Sequence, residues 1–200
     1  NRKLKFSSPT SFMAQKKSIV DEMYPGDIVG LHDTGNFKIG DTITDGETLN
    51  YKGIPSFSPE LFKYIENASP MKAKQLAKGI DQLMDEGVAQ LFTGKHNGRK
   101  IIGTVGALQF EVIQYRLKHE YGATASFRNK PHHKACWMTT TDQTQLDEFI
   151  RRKVNNIGYD KDENPVFLAD SPFLLTQAQG DYPAITFHTT SDFKLASNEF

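Results

Sequence analysis

The order of helix and strand signals between residues 56 and 127 constrains the fold more than any other feature of this chain. Ser69-Pro70 and Gly87 bound an amphipathic helix, because serine caps a helix start, proline fits its first turn and glycine favours its end. Two strands follow and meet at the turn His96-Asn97-Gly98. A second apolar stripe at helical spacing consists of Phe110, Ile113, Leu117 and Tyr121. An extended segment at 123–127 completes the series.

Residues 61–65 decide whether a strand precedes the first helix. If they are extended, the order becomes strand, helix, strand, strand, helix, strand, which is the ferredoxin-like split βαβ pattern. The preceding Ser58-Pro59-Glu60 nevertheless has the local form of a helix start. The residues alone therefore leave this segment ambiguous.

The first fifty residues predict short strands between turns rich in glycine and aspartate. Asp27–Leu31 reads as an apolar strand after the turn Pro25-Gly26, and further extended segments are predicted at 37–39 and 42–44. This pattern suggests a small β-barrel or part of one. The pattern of short strands and turns gives way to strong helix signals after about Pro55, where we predict a domain boundary.

The last third of the chain also alternates strand and helix signals. Strands are predicted at 133–140 and 184–188, and Asp142 with Gln145 forms a capping box for a helix through Lys153. A short further helix lies between Ser171-Pro172 and Gly180. No internal repeat is visible in the sequence. We expect this part of the chain to be an αβ extension of the preceding domain.

The glycines of Gly103-Thr-Val-Gly106 raise the question of a phosphate-binding loop. A phosphate loop places lysine and a hydroxyl residue after its second glycine, whereas Ala107 and Leu108 stand here. A dinucleotide-binding loop needs a third glycine, where this chain has Gln109. We therefore predict a tight strand-to-helix turn in which glycine serves backbone packing.

Other motifs lack the partners that catalysis or metal binding requires. Asp33-Thr34-Gly35 occurs once, but aspartic proteases need two such carboxylates. His119-Glu120 lacks the second histidine of a zinc helix, and His132-His133 has no nearby third ligand. Cys136, the only cysteine, lies in an apolar strand and fits a core position in a reducing compartment. We predict no catalytic, cofactor-binding or metal-binding residue in this chain.

Charge is balanced over the whole chain, with 24 basic and 24 acidic side chains, but it is unevenly distributed. Basic residues outnumber acids in segments 1–20 and 95–134, which could therefore meet a polyanion such as RNA. A solvated mixed surface explains the same pattern equally well. No apolar run is long enough to predict a membrane span.

Four segments carry a family resemblance that extends over most of the chain. They are Tyr24–His32 (YPGDIVGLH), Ile39–Thr42 (IGDT), Gly53–Phe62 (GIPSFSPELF) and Val105–Val112 (VGALQFEV). These segments resemble the class II peptide chain release factors, a family of translational GTPases; elongation factor G has a stretch related to residues 103–122.

The resemblance implies an α+β chain in two domains. Residues 1–54 would be the C-terminal part of the second-domain β-barrel, a partial translation-factor barrel. Residues 55–200 would be the third domain, with a ferredoxin-like split βαβ core (an α/β sandwich) at about 55–128 and a C-terminal αβ extension at 129–200. It also implies that Pro59–Glu66 is a strand, against the local helix signal.

The function that the resemblance implies belongs to a longer protein, of which we expect this chain to be an excised piece. A preceding GTPase domain would bind GTP or GDP with Mg²⁺, and the whole protein would promote dissociation of class I release factors from the ribosome after peptide release. This chain, not itself an enzyme, would dock on rRNA and ribosomal proteins and couple them to the GTPase domain. The protein would be cytoplasmic, with neither membrane nor DNA as a partner.

Six side chains in the segments with an excess of positive charge are candidates for contacts with the ribosome: Lys16, Lys17, Arg99, Lys100, Arg128 and Lys130. Two alternative functions stay open at this point. The chain could be the equivalent region of another translational GTPase, such as elongation factor G. It could also be a free-standing RNA-binding module that stacks bases on aromatic side chains of a ferredoxin-like sheet.

Overall fold

The structure is a computed structural model that describes residues 8–13, 16–32, 41–47, 49 and 57–190. The chain divides into two compact units, Asn1–Asp41 and Thr42–Phe200, each of which has its own internal contacts. The predicted strand at 37–39 and the triplet Asp33-Thr34-Gly35 lie outside the described residues.

The first unit contains a small antiparallel sheet. Its strands are β1 (Thr10–Met13), β2 (Lys16–Ile19) and β3 (Val29–Gly30), in the order β2-β1-β3. The predicted turn at Pro25-Gly26 is present: Asp27 N donates to Tyr24 O at 3.0 Å, and Gly26 has a φ of +100°. The strand after this turn is shorter than predicted, because only Val29 and Gly30 pair with β1.

The second unit begins with the predicted split βαβ arrangement, here called its first half. Its elements are β4 (Leu61–Asn67), α1 (Ala73–Asp85), β5 (Gln90–Gly94), β6 (Lys100–Thr104), α2 (Leu108–His119) and β7 (Ala125–Lys130). The four strands pair antiparallel in the order β5-β6-β4-β7. The ambiguous segment is therefore a strand.

The predicted positions at which this helical segment begins and ends are confirmed, but the Ser69 side chain makes no capping hydrogen bond, so its predicted role as a cap is wrong. Ser69 is extended, and the helix starts through a single 3₁₀ turn at Pro70–Lys72. At the other end, Gly87 has a φ of +71° and its N–H donates to Met84 O at 3.0 Å. Between these ends, one face of α1 is buried through Leu76, Gly79, Ile80, Leu83 and Met84.

The remainder of the second unit, its second half, is another split βαβ arrangement. Its elements are β8 (Lys134–Thr140), α3 (Gln143–Arg152), β9 (Ile157–Tyr159), β10 (Pro165–Ala169), α4 (Pro172–Asp181) and β11 (Ile185–His188). The strand order β11-β8-β10-β9 repeats that of the first half. The repeat concerns topology rather than residues, which is why the sequence shows no internal repeat.

The two halves join into one eight-stranded sheet through β5 and β9, whose pairs are Thr93↔Tyr159 and Gly94↔Gly158. Helices α1 and α2 cover one face of the first half, and α3 and α4 cover one face of the second. The faces without helices pack against each other: Phe62, Phe92 and Ile101 of the first half share a core cluster with Ala135, Trp137, Val166 and Leu168 of the second. The layers are therefore helices, sheet, sheet and helices.

Candidate nucleic-acid interface

Three of the six candidate cations lie around Tyr64 of β4, and two of them lie over its aromatic ring. The Arg99 guanidinium carbon lies 5.3 Å from the ring centroid, and Lys130 Nζ lies 5.7 Å from it. Arg128 is paired with Tyr64 in the β4–β7 register. Side chains alternate along strands, so Arg128 and Lys130 of β7 share the helix-free face with Tyr64.

Glu66, the next residue of β4 on the same face, is the carboxylate that balances this group. Its two oxygens lie 4.0 Å from Arg99 Nη1 and 3.3 Å from Arg128 Nη2. Three cations against one carboxylate leave an excess of positive charge. We call Tyr64, Glu66, Arg99, Arg128 and Lys130 the Tyr64 cluster.

The ion pairs of the Tyr64 cluster are weak enough to be exchanged for phosphate contacts. The Arg99 and Arg128 side chains are 49% and 66% exposed. Exposed ion pairs contribute about 0–1 kcal/mol to stability. An arginine therefore loses little free energy when it separates from Glu66 to bind a phosphate. Arginine binds phosphate oxygens through two parallel hydrogen bonds, and an aromatic ring offers a stacking partner to an unpaired base. The cluster therefore has the chemistry of a nucleic-acid contact.

Lys100 does not belong to this surface. It follows Arg99 at the start of β6, and neighbouring strand residues point to opposite faces of the sheet. Its Nζ donates to Thr93 Oγ1 at 3.1 Å. Lys16 and Lys17 are paired residues of β2 in the first unit, and their side chains lie outside the described part of the structure.

A cleft of about 550 Å³ lies where the two halves of the second unit meet. Its lining residues are Asp81, Leu91, Thr93, Lys100, Tyr159, Asp160, Lys161 and Glu163. The charges of the lining are mixed, and Lys161 is already paired with Asp85 at 3.6 Å. The cleft therefore offers no excess of positive charge to a polyanion.

The glycine turn before α2 is not a phosphate loop. The backbone N–H groups of Val105 and Gly106 donate to Gln109 Oε1 at 2.9 and 3.0 Å, so the chain's own side chain occupies them. Gly103 serves packing as predicted, because a Cβ there would lie 2.5 Å from Pro59 Cγ. The same prediction is wrong for Gly106, where a Cβ would meet nothing within 4 Å.

The two histidine motifs serve local structure. The His119 ring stacks on Tyr115 with centroids 3.9 Å apart, and its Nδ1 lies 2.8 Å from the Tyr115 carbonyl oxygen. His132 is buried with Nδ1 2.6 Å from Asp170 Oδ1, whereas the neighbouring His133 is exposed. Among the described residues, no group of three or more His, Cys, Asp or Glu side chains is placed to hold a metal ion.

Cys136 is a core residue of β8. It is completely buried, and burial raises the pKa of its thiol to about 11. A neutral, inaccessible thiol is a poor nucleophile. No helix within the described ranges is long and apolar enough to cross a membrane.

The aromatic side chains of the first-half sheet are mostly unavailable for base stacking. Phe62 and Phe92 are 3% and 0% exposed, because the second half packs on the face that carries them. Tyr64, at the margin of that contact, is half-buried. The packing therefore argues against a free-standing module that binds RNA across this sheet in the manner of an isolated ferredoxin-like domain.

Comparisons with known proteins separate the chain into two matched regions. Residues 1–46 match the family model "Elongation factor G domain 2", and residues 51–179 match "Class II release factor RF3, C-terminal domain". The protein named "Peptide chain release factor 3" from Aromatoleum aromaticum is 40% identical over 191 residues, which are 96% of this chain and 35% of that relative. This chain thus covers little more than a third of the relative's length. Because the release-factor model matches more than half of its residues, the chain belongs to the class II release factor RF3 family.

Proposed function

We propose that this chain is the non-catalytic C-terminal part of a ribosome-dependent GTPase, which promotes dissociation of class I release factors after peptide release. Membership of the release-factor family supports this proposal. Both matched models describe regions other than a GTPase domain. Binding of GTP or GDP with Mg²⁺ is therefore assigned to a domain that precedes this chain in the full-length protein.

In this proposal the chain docks on the ribosome and couples it to the GTPase domain. The observation that carries the docking role is the Tyr64 cluster. Arg99 and Lys130 lie over its ring. Arg99 and Arg128 share the carboxylate of Glu66. Neutralising rRNA phosphates releases their counterions, so this contact would weaken as salt rises. Lys100 would act separately, from the opposite face of the sheet.

Two bodies that can change their arrangement suit a coupling role. The contacts divide the chain after Asp41, and the two matched family models leave residues 47–50 between them. The boundary between residues 54 and 55, and a hinge near Pro55, stay predictions. Ribosomal RNA and proteins, class I release factors and the protein's own GTPase domain are the proposed partners, in the cytoplasm, with neither membrane nor DNA.

Two arginines of equal exposure provide a matched test of docking in the full-length protein. Arg128 pairs with Glu66, Arg152 of α3 pairs with Glu148, and both side chains are 66% exposed. We expect Arg128→Ala to weaken co-sedimentation with ribosomes and to reduce ribosome-stimulated GTP hydrolysis, whereas Arg152→Ala leaves both near wild type. Equal behaviour of the two variants would remove Arg128 from the docking surface. Absence of ribosome-stimulated hydrolysis in the wild-type protein would contradict the GTPase proposal.

A further inference from the structure

Helix α2 carries apolar side chains on two opposite faces. Phe110, Ile113 and Leu117 are buried against the sheet and α1. On the other side, Leu108 is 68% exposed and Tyr115 63%, with Val112 between them at 42%. The intervals of four and three residues place these three side chains on one helical face. A surface helix normally has a polar outer face, so this one is unusual.

The exposed apolar surface continues beyond the helix. Val105, in the turn before α2, is 61% exposed. Leu61 is 39% exposed and pairs with Thr104, which places it beside Val105. We call Leu61, Val105, Leu108, Val112 and Tyr115 the α2 apolar stripe. Exposed apolar side chains grouped in this way commonly mark an interaction site.

Hydrogen bonds hold the α2 apolar stripe in a fixed shape. Besides accepting from the N–H groups of Val105 and Gly106, Gln109 donates through Nε2 to Val88 O at 3.2 Å. Farther along α2, Arg116 forms ion pairs with Glu86 at 2.5 Å and Glu120 at 2.7 Å. A preformed surface loses little conformational entropy on binding, which favours its use as an interface.

The stripe and the Tyr64 cluster lie on opposite faces of the same sheet. Lys63 of β4 points towards α2, where its Nζ lies 4.4 Å from the Phe110 ring centroid, whereas the adjacent Tyr64 points to the helix-free face. The five side chains of the stripe are uncharged, and the charged side chain of α2 that is spaced to lie beside two of them is Glu111, three residues after Leu108 and four before Tyr115, which is acidic. An apolar surface fits a protein partner, because contacts with nucleic acid depend on positive charge.

We propose that the α2 apolar stripe is the surface on which the domain preceding this chain in the full-length protein docks. This inference rests on the proposed function, which assigns that domain the GTPase role. The matched relative is much longer than this chain, and the model matched at residues 1–46 is a second domain, which implies a first domain before it. A domain of the same polypeptide is present at high effective concentration, so a modest apolar surface suffices to hold it.

The arrangement gives the coupling a short physical route. The proposed ribosome contact at Tyr64 and the proposed domain contact on α2 are separated by one sheet, and β4 contributes to both sides of it. A displacement of β4 at one surface would also move the other surface, because packed elements shift as units rather than deform continuously.

Cysteine labelling of the full-length protein tests the inference. Leu108→Cys reports on the stripe, and Phe173→Cys is the matched control. Leu108 and Phe173 stand at the starts of α2 and α4, and they are 68% and 74% exposed. Native Cys136 is buried and gives little background, and mass spectrometry of the modified peptides separates the sites. We expect maleimide to modify the Leu108→Cys thiol at least about tenfold more slowly than the Phe173→Cys thiol, because labelling requires the docked domain to open.

A second substitution in the Leu108→Cys background shows whether the stripe itself causes the protection. Tyr115→Lys should restore fast labelling by placing a charge in the interface, whereas Met71→Lys, at a site 94% exposed, should not. Equal labelling rates in Leu108→Cys and Phe173→Cys, or protection that survives Tyr115→Lys, would overturn the inference. Protection that disappears on dilution would also overturn it, since the occupant would then be a second copy of the protein.

The same samples separate this inference from the proposed function. Ribosome-stimulated GTP hydrolysis together with fast labelling of the Leu108→Cys thiol would retain the function and reject the docking surface. The opposite outcome is slow labelling of that thiol, abolished by Tyr115→Lys, in a protein that shows no ribosome-stimulated GTP hydrolysis. It would retain a docked preceding domain and reject the GTPase proposal.

Discussion

Phe92 on β5 and Trp137 on β8 lie in contact across the two halves of the second unit, with ring centroids 6.4 Å apart and planes tilted by 54°. Phe92 is fully buried and Trp137 is 2% exposed. Each ring comes from the helix-free face of its own four-stranded sheet. Together with the pairing of β5 and β9 and the rest of the shared core cluster, this contact joins the two halves into one folded body.

Removing the Phe92 ring should destabilise that body strongly. Phe92→Ala leaves a cavity between the two sheets, and such changes cost about 3–5 kcal/mol in the free energy of unfolding. Urea unfolding, followed through the emission of Trp137, measures the change, since this chain has a single tryptophan. Phe173→Ala, at a 74% exposed position, should change it by no more than about 0.5 kcal/mol. A small effect at Phe92 would mean that the halves do not depend on this contact.

Much of the first half could be predicted from the sequence, because its signals are local. Two examples are the turn at Asn97-Gly98 and the end of α1 at Gly87, each of which depends on neighbouring residues. The cap at Asp142, in the second half, is a signal of the same kind. Asp142 accepts from Thr144 N at 2.9 Å, and Gly98 has a φ of +65°. Short-range chemistry of this kind is visible in a sequence without knowledge of the fold.

The second split βαβ arrangement could not be predicted in the same way. Strand β10 is buried at Val166–Ala169, so its residues do not alternate between polar and apolar. Strand β9 has only three residues. The charge pattern identifies three members of the Tyr64 cluster but not its central ring, because an aromatic residue in a strand is equally typical of a core position. The predicted strand does begin at Lys100, but the charge pattern groups Arg99 with Lys100, although neighbouring residues of a strand face opposite sides.

Gly103 and Gly106 make a matched pair for the role of glycine in the turn before α2. Gly103→Ala would place a Cβ 2.5 Å from Pro59 Cγ and 3.1 Å from Phe92 Cε2. We expect a loss of about 1–3 kcal/mol in the free energy of unfolding, because overpacking forces the strands apart. Gly106→Ala should be neutral within about 1 kcal/mol, since the site is open. Urea unfolding of both variants measures these changes. Equal losses in the free energy of unfolding would contradict the packing role of Gly103.

Stability should fall in mildly acidic solution because of His132. Its ring packs edge-on against Phe62, and desolvation lowers its pKa by more than the hydrogen bond to Asp170 raises it, while Lys130 lowers it further. The unfolded chain therefore binds a proton more readily than the folded chain. The free energy of unfolding should decrease as pH falls through about 6.5, the usual histidine pKa, towards the lower folded value.

His188 has a pKa lowered by desolvation and contributes in the same direction, so the two histidines must be separated. Urea unfolding at pH 7.5 and at pH 5.5 should show a smaller pH effect in His132→Gln than in the wild-type protein. His188→Gln serves as the comparison. If His132→Gln retains the full pH dependence while His188→Gln abolishes it, His132 is not the group responsible.

The contributions of charge and of base stacking at the Tyr64 cluster to ribosome binding should be separable in the full-length protein. Lys130→Ala should weaken ribosome binding and reduce the slope of log affinity against log salt by about 0.7–0.9, as expected for one lost phosphate contact. Tyr64→Leu keeps the three cations, so it should weaken binding while leaving that slope unchanged. Ribosome co-sedimentation over a series of potassium concentrations measures both quantities. An unchanged slope in Lys130→Ala would show that its ammonium group stays with the Tyr64 ring and does not contact phosphate.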